Sequence, residues 1–334
     1  MWYNLLVPIW DTVSQFEKET LFMKLSIQSQ NLVTDFGIET AYRMIREAGF
    51  EAIDWNIDVD LPASAVRQAE RLEGLTVFEK SQEEIAAYYA DQLAAIRANG
   101  LEITQAHAPF PCYIPGREDV LDYCIGVYKN ILLFLDSVGC KNLIVHGITV
   151  QEKKPTLTVE ECDRLNMKLY ESLIPTLKQT KQIKVCLENL FTGVSILGSG
   201  YWEGCCSDPH IAAEWIDRLN EKAGKKCFGL CLDTGHLNLL RKPFRSYVPI
   251  VGDRIIALHI HDNLQTGDSH LMPYAGSIYW EHFLTELKAV GYCGDLSFET
   301  FAQTKASRLP APLVPSFLRT IAEIGSYFRS ELLK

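Results

Sequence analysis

Eight short apolar segments alternate with segments of helical periodicity, and this alternation constrains the fold of the chain more than any other feature. The apolar segments occupy residues 24–29, 50–55, 101–106, 142–145, 183–187, 228–232, 255–258 and 295–298. Near-continuous apolar runs of this length are typical of parallel strands that are buried on both faces. Because no linker rich in proline, serine or charge interrupts the alternation, the sequence predicts an α/β protein, a single (β/α)₈ TIM barrel.

Helix signals separate the apolar segments. Ser81 with Glu84 and Thr158 with Glu161 fit capping boxes, and an aspartate followed by proline at 208–209 is a third helix start. Helices are predicted at 38–48, 81–100, 118–138, 158–180, 278–290 and 315–328, with another that begins at residue 209. We expect a short, aromatic-rich N-terminal extension at 1–22 and the barrel at 23–334.

The composition favours a globular enzyme-sized domain and disfavours two classes of partner. Hydrophobic residues make up 47% of the 334 residues and charged residues 22%, which is ordinary for a globular chain. The net charge of -10 repels a phosphate backbone, so nucleic acid is a disfavoured partner. No apolar run is long enough to span a membrane. Ten scattered cysteines without a CxxC pair indicate a reducing, cytoplasmic compartment. The sequence is compatible with a homo-oligomer as well as with a monomer.

Side chains that bind divalent cations follow six of the apolar segments. They are His107, His146, Glu188, Asp233, His236, His259, His261, Asp262 and Glu299. Each has a structural alternative: Asp233 before Thr-Gly is typical of a turn, and one strand-end histidine is often only hydrogen-bonded. Charges at the ends of buried strands are costly without a partner, and catalytic groups of barrels lie at the carboxyl ends of strands. Their convergence therefore favours one shared site.

The last four barrel strands supply a set of ligands that is mainly oxygen. Glu188, Asp233 and Glu299 offer carboxylates, and His259 offers one imidazole nitrogen. Such a set suits Mn²⁺, Mg²⁺ or Co²⁺ with positions left for substrate oxygens, and histidine also suits Zn²⁺. We expect a divalent metal cofactor, with Mn²⁺ favoured.

The segments AHAPF, VHG, LEN, CLDTGH, LHIHDN and FET, which lie between residues 106 and 300, resemble those of the xylose isomerase-like TIM barrels, and the resemblance covers nearly all of the chain from residue 23 to the C-terminus. That superfamily includes sugar isomerases, sugar epimerases and endonuclease IV. The resemblance implies a ketose or related sugar as substrate and proton abstraction next to its carbonyl through a metal-bound enediolate. It implies that Glu188, Asp233, His259 and Glu299 bind the metal and that the two glutamates also move protons. Substrate-binding roles follow for His107, His146, His236, Asp268 and His270.

Two other functions fit the same resemblance. A trinuclear zinc phosphodiesterase like endonuclease IV would use His107, His146, Glu188, Asp233, His236, His259, Asp268, His270 and Glu299, which all have the right residue type. The acidic balance and the lack of basic clusters near the strand ends disfavour it. A sugar-binding barrel without catalysis is the third function. The number of metal ions bound per chain distinguishes the three functions: one ion is expected for the isomerase, three zinc ions for the phosphodiesterase and none for the binding protein.

Two features of the sequence concern the walls of the site. The segment 189–206 contains four glycines and is either a lid over the site or a mobile connection. Trp55, Phe110 and Trp202 are candidates for the apolar walls that bound sugars favour, although packing in the core explains each of them as well.

Overall fold

The computed structural model describes residues 23–149, 157–194 and 200–334, and the expected N-terminal extension at 1–22 lies outside them. Eight strands overlap the eight predicted segments. In chain order, β1 to β8 are Leu25–Gln28, Ala52–Asn56, Glu102–His107, Asn142–Ile144, Lys184–Glu188, Phe228–Asp233, Ile255–His259 and Leu296–Phe298.

The strands form one parallel barrel. Their order in the sheet is β8-β1-β2-β3-β4-β5-β6-β7, so each strand pairs with its neighbour in the chain. The sheet closes between β7 and β8, where Ile260 N donates to Ser297 O at 2.8 Å and Glu299 N donates to Ile260 O at 3.1 Å. The predicted (β/α)₈ TIM barrel is confirmed, and the carboxyl ends of all eight strands meet at one mouth.

Long helices pack against the outer face of the barrel, and some short helices lie at its mouth. They are Gln30–Phe36, Ile38–Ala48, Ala63–Gln68, Gln82–Tyr88, Ala90–Ala98, Glu118–Ser137, Val159–Glu171, Ile174–Leu177, Pro209–Ala223, Thr234–Leu239, Phe244–Val251, Trp280–Ala289, Phe301–Thr304 and Val314–Leu333. Both predicted capping boxes are present, at Ser81 and Thr158. Within the described parts of the chain, no helix has the length and apolar character to cross a membrane.

Two helix predictions were wrong in detail, and a helix between β6 and β7 was not predicted. The helix predicted at 81–100 is broken at Tyr89, whose buried ring packs edge-on against Trp55 with centroids 4.9 Å apart. The helix predicted at 158–180 ends at Glu171, because Pro175 has no N–H to donate to the carbonyl four residues earlier. The segment between β6 and β7, for which no helix was predicted, contains the helix Phe244–Val251.

Nine of the ten cysteines are buried free thiols. The adjacent pair Cys205 and Cys206 has its sulfur atoms 3.6 Å apart, well beyond the roughly 2.05 Å of a disulfide bond. Burial raises the pKa of the Cys140 thiol to about 12, which is the behaviour of a packed, unreactive thiol.

The helix Pro209–Ala223 provides a test of local structure. Asp208 Oδ1 accepts from His210 N at 2.8 Å and from Ile211 N at 3.3 Å. We expect Asp208→Ala to lower the free energy of unfolding by about 1 kcal/mol because it leaves these two N–H groups without the cap. Urea unfolding measures the change, and Asp208→Asn, which keeps an acceptor oxygen, is the control. An alanine variant as stable as wild type would show that the cap contributes nothing.

Candidate active site

A cavity of about 510 Å³ opens at the carboxyl ends of the strands, a size typical of small-molecule sites. Nine residues were assigned above to the metal and substrate sets, and seven of them line this cavity: His107, His146, Glu188, His236, Asp268, His270 and Glu299. The other two, Asp233 and His259, are fully buried, and their ligand atoms lie within 4.8 Å of that of Glu188. The barrel thus brings these nine residues into one region, whereas Asp262, also named at a strand end, accepts a hydrogen bond from Trp280 Nε1 at 3.1 Å instead.

The four candidate metal ligands meet at one imidazole nitrogen. His259 Nδ1 lies 3.4 Å from Glu188 Oε1 and 3.9 Å from Asp233 Oδ2. It also lies 3.9 Å from Glu299 Oε2. Although His259 is fully buried, neither of its ring nitrogens has a hydrogen-bond partner among the described residues. Because buried polar atoms are rarely left unpaired, this nitrogen surrounded by three carboxylates fits a bound cation.

The electrostatics of the site also favour a cation. Burial alone would raise the pKa of Glu188, but the neighbouring His146 and His259 hold that pKa well below its usual range. Burial acts on Asp233 in the same way, and His236 and His261 outweigh it and lower the pKa. Both carboxyl groups are therefore ionised in the interior, where an anionic group needs a compensating charge.

A second group of potential ligands lies beside the first, towards β3 and β4. His146 Nε2 is 2.9 Å from Glu188 Oε2, and ligand atoms of His107, His146 and Glu188 lie close enough to hold one ion. Burial would lower the pKa of His107, but the charge of Asp54 raises it to about 9.

A third group lies on the opposite side of the quartet. His270 Nε2 is 3.0 Å from Asp268 Oδ2, and His236 Nε2 is 3.6 Å from the same oxygen. Burial would lower the pKa of His236, but the charge of Asp233 and the contact with Asp268 raise it to about 10. His261 completes this group, since its ligand atom lies close to those of Asp268 and His270.

Local hydrogen bonds fix the tips of β5 and β6. Asn189 is fully buried; its Nδ2 donates to Asp233 O at 2.9 Å, and its Oδ1 accepts from Asp233 N at 2.8 Å. Its carbonyl oxygen lies 3.0 Å from His236 Nδ1, which therefore donates to it. The asparagine of the LEN segment thus ties the strand that carries Glu188 to the strand that carries Asp233.

Asp233 combines a helix cap with a place in the site. Its Oδ1 accepts from His236 N at 2.7 Å and caps the short helix Thr234–Leu239. Its Oδ2 faces the site, 3.0 Å from His261 Nε2. The turn-like sequence after this aspartate is the start of a helix, and that helix start positions the carboxylate.

The glycine after Asp233 and Thr234 is required by a close approach of two elements. A Cβ atom at Gly235 would lie 2.0 Å from Cε1 of the His261 ring. We expect Gly235→Ala to lower the free energy of unfolding by about 1–3 kcal/mol, because the ring or the helix must move. Thermal unfolding measures the change. Gly126→Ala is the matched control, since a Cβ there meets nothing within 4 Å, and equal stability of the two variants would contradict the prediction.

Two functional candidates were missing from the predicted ligand and substrate sets. Asp54 lies on β2 with its Oδ1 3.4 Å from His107 Nδ1 and its Oδ2 3.4 Å from His259 Nε2. The sequence signal that could have identified Asp54 is a charged residue inside a buried apolar strand. His261, two residues after the end of β7, was named as a cation-binding side chain but left out of both sets, although its Nε2 lies 3.0 Å from Asp233 Oδ2.

The residues that form the walls of the cavity agree only in part with those predicted from the sequence. Phe110 lines it and stacks on His146 with ring centroids 4.4 Å apart. Trp55 instead lies in the core, and Trp202 is not among the lining residues. The predicted lid segment contains a hairpin, Phe191–Val194 with Tyr201–Glu203, and Phe191 lines the cavity. Residues 195–199 lie outside the described part, so a lid role stays a prediction.

Comparison with known proteins identifies the family. Residues 42–321 match the family model described as xylose isomerase-like TIM barrel. The uncharacterized protein y4fM of Sinorhizobium fredii is 28% identical over 278 residues, which cover 80% of this chain and 82% of the relative.

Solved structures share the fold at low sequence identity. A D-tagatose 3-epimerase-like protein superposes with a TM-score of 0.59 and 21% identity, over 91% of this chain and 99% of the other. The IolI protein, whose crystal structure has a zinc atom bound, superposes with a TM-score of 0.63 and 16% identity, over 91% of this chain and 96% of the other. The family match covers most of the barrel and agrees with the strand-end residues, so the chain belongs to the xylose isomerase-like TIM barrel family.

Proposed function

We propose that the protein is a divalent-metal-dependent sugar isomerase or epimerase that abstracts a proton next to the carbonyl of a ketose or related sugar. One observation carries the proposal: a buried, unpaired imidazole nitrogen of His259 lies within 3.9 Å of carboxylate oxygens from Glu188, Asp233 and Glu299. Three carboxylates and one imidazole at the floor of a cavity are a ligand set for Mn²⁺, Mg²⁺ or Co²⁺, and Zn²⁺ also fits. Mn²⁺ is our first choice.

The two glutamates carry the proton chemistry in this proposal. A divalent cation held by the quartet supplies Lewis acidity, which makes a C–H next to a carbonyl more acidic. Glu188 and Glu299 both line the cavity, so each can reach a substrate atom from a different strand of the barrel. One glutamate takes the proton, and the other returns a proton to the same or the neighbouring carbon.

The cavity walls support an uncharged, hydroxylated substrate. Polar side chains of Gln28, Asn56 and Asp58 line the cavity, and its described lining includes no lysine or arginine. Hydroxyl groups can pair with these neutral or acidic groups and with the histidines, whereas a phosphate would find no lysine or arginine there. The structural likeness to a D-tagatose 3-epimerase-like protein agrees with this substrate class. Nine buried free thiols agree with the cytoplasmic location that we propose.

The alternative of a trinuclear zinc phosphodiesterase is favoured by a separate observation. Beside the quartet lie further groups of ligand atoms, including one around Glu188 and His146 and one around Asp268 and His270. Three adjacent groups could hold three ions. The net charge of -10 and the described lining without lysine or arginine oppose binding of a nucleic acid backbone.

Metal content and isotope exchange test the proposal together. The purified protein is loaded with Mn²⁺ or Zn²⁺, dialysed and analysed for metal per chain, and deuterium incorporation from solvent is followed for a panel of ketoses. We expect about one ion per chain and incorporation next to the carbonyl of at least one sugar. Three zinc ions with cleavage of phosphodiesters would establish the alternative. Sugar binding without metal or exchange would leave a binding protein and overturn the proposal.

A further inference from the structure

Asp54 occupies an unusual place for a carboxylate, deep inside the barrel beneath the cavity. It lies on β2, is fully buried and is absent from the cavity lining. Its Oδ2 accepts a hydrogen bond from Gln105 Nε2 at 2.8 Å. Its Oδ1 has no hydrogen-bond partner among the described residues. A buried carboxylate held by one neutral donor is costly, so Asp54 requires a further role.

The two oxygens of Asp54 face two histidines. Oδ1 lies 3.4 Å from His107 Nδ1, and Oδ2 lies 3.4 Å from His259 Nε2. The two imidazole rings stack with centroids 4.6 Å apart and planes 19° apart. His107 Nδ1 and His259 Nε2 have no other hydrogen-bond partner in the described structure. Asp54 is therefore the acceptor available to both.

The other nitrogen of each ring faces the candidate site. His259 Nδ1 points at the carboxylates of the quartet, and His107 Nε2 lies 3.4 Å from Glu299 Oε1. A neutral imidazole carries one N–H and one lone pair, and an acceptor at one nitrogen decides which nitrogen holds the proton. An acceptor behind His259 directs the lone pair of that ring forward, and the same carboxylate fixes the orientation of the stacked His107 ring.

We propose that Asp54 is a positioning residue that accepts N–H from His259 Nε2 and His107 Nδ1, and so presents the lone pair of His259 Nδ1 to the metal site and fixes the orientation of the His107 ring. The inference rests on the proposed metal site, because a lone pair on His259 Nδ1 is useful only to a cation. Carboxylates that accept from the second nitrogen of a metal-binding histidine fix its orientation and strengthen its binding. One aspartate serves two histidines here because their rings are stacked.

Asp54→Asn tests this role. An amide keeps the size of the side chain but has only one acceptor oxygen, so one of the two rings loses its partner. We expect the affinity for Mn²⁺, measured by competition with a chelator, to fall by about 10–100-fold with the number of sites unchanged. The absorption spectrum of the Co²⁺-loaded protein should change as well. Thr104→Val is the control, since Thr104 is buried on β3 but contacts Ser26 instead.

Each outcome of the Asp54→Asn experiment distinguishes a positioning role of Asp54 from another role. Wild-type affinity and spectrum in the asparagine variant would overturn the inference, as would a purely structural effect that lowers the melting temperature of the metal-free protein and leaves metal affinity intact. Loss of one equivalent of metal would make Asp54 a ligand and also overturn it. If the asparagine variant does not fold, Gln105→Met, which removes the donor that holds Asp54, must still weaken binding. A wild-type protein that binds no metal would instead defeat the proposed function.

Discussion

Replacing Glu299 by glutamine is expected to reduce the rate of solvent deuterium incorporation into the substrate by about 10²–10⁴-fold, the usual contribution of a positioned base. Glutamine keeps an oxygen that can contact a cation but cannot accept a proton. Glu299 is placed for this role because it lines the cavity and its Oε2 lies 3.9 Å from His259 Nδ1. Incorporation is followed by mass spectrometry with the protein saturated with Mn²⁺, so that weaker metal binding does not account for the loss.

The same substitution elsewhere on the barrel provides the control. Glu323 is exposed on the helix Val314–Leu333. The Glu323→Gln variant should therefore incorporate solvent deuterium into the substrate at the wild-type rate. Glu188→Gln should cause a loss of similar size, and the double variant should be hardly worse than either single variant, because the two groups act in one reaction. Wild-type exchange in the Glu299 variant would show that this glutamate moves no proton.

Removal of the metal is expected to abolish exchange and to lower stability. A cation present at 1,000 times its dissociation constant stabilises the folded protein by about 4 kcal/mol, so the melting temperature should fall when a chelator strips it. The physical reason is that the buried carboxylates around His259 then lose their compensating charge. Re-addition of Mn²⁺ should restore both exchange and melting temperature.

His259→Asn is the matched variant for the metal experiment. Its melting temperature should respond little to Mn²⁺ or to the chelator, because the quartet has lost its only nitrogen ligand. His282→Asn should respond like wild type, since His282 lies outside the cavity and packs on Tyr279 with ring centroids 5.7 Å apart. Equal responses of wild type and the His259 variant to the metal would place the cation elsewhere in the protein.

The fold was predictable because its signals are local. Each strand is an apolar run that the barrel buries on both faces, and the helix Ile38–Ala48 has the bounds predicted for it. The breaks at Tyr89 and before Pro175 were missed because helical periodicity continues across them. The helix Thr234–Leu239 was missed because it is short and begins at an aspartate that is equally typical of a turn.

The candidate site was predictable to the extent that it lies at strand ends. Parallel strands in a closed barrel bring their carboxyl ends to one mouth, so His107, Glu188 and Glu299 had to be neighbours. Asp54 could not be assigned in this way. Its role depends on how deep it lies below the mouth and on which ring nitrogens face it, and only the packed barrel fixes those.

An anomalous difference map from crystals grown with Mn²⁺ tests the shared cation most directly. We predict one strong peak within about 2.0–2.6 Å of His259 Nδ1 and of a carboxylate oxygen from each of Glu188, Asp233 and Glu299, the range of distances for bound divalent cations. A map with no peak among these four side chains, at Mn²⁺ concentrations that saturate the protein in solution, would contradict the account.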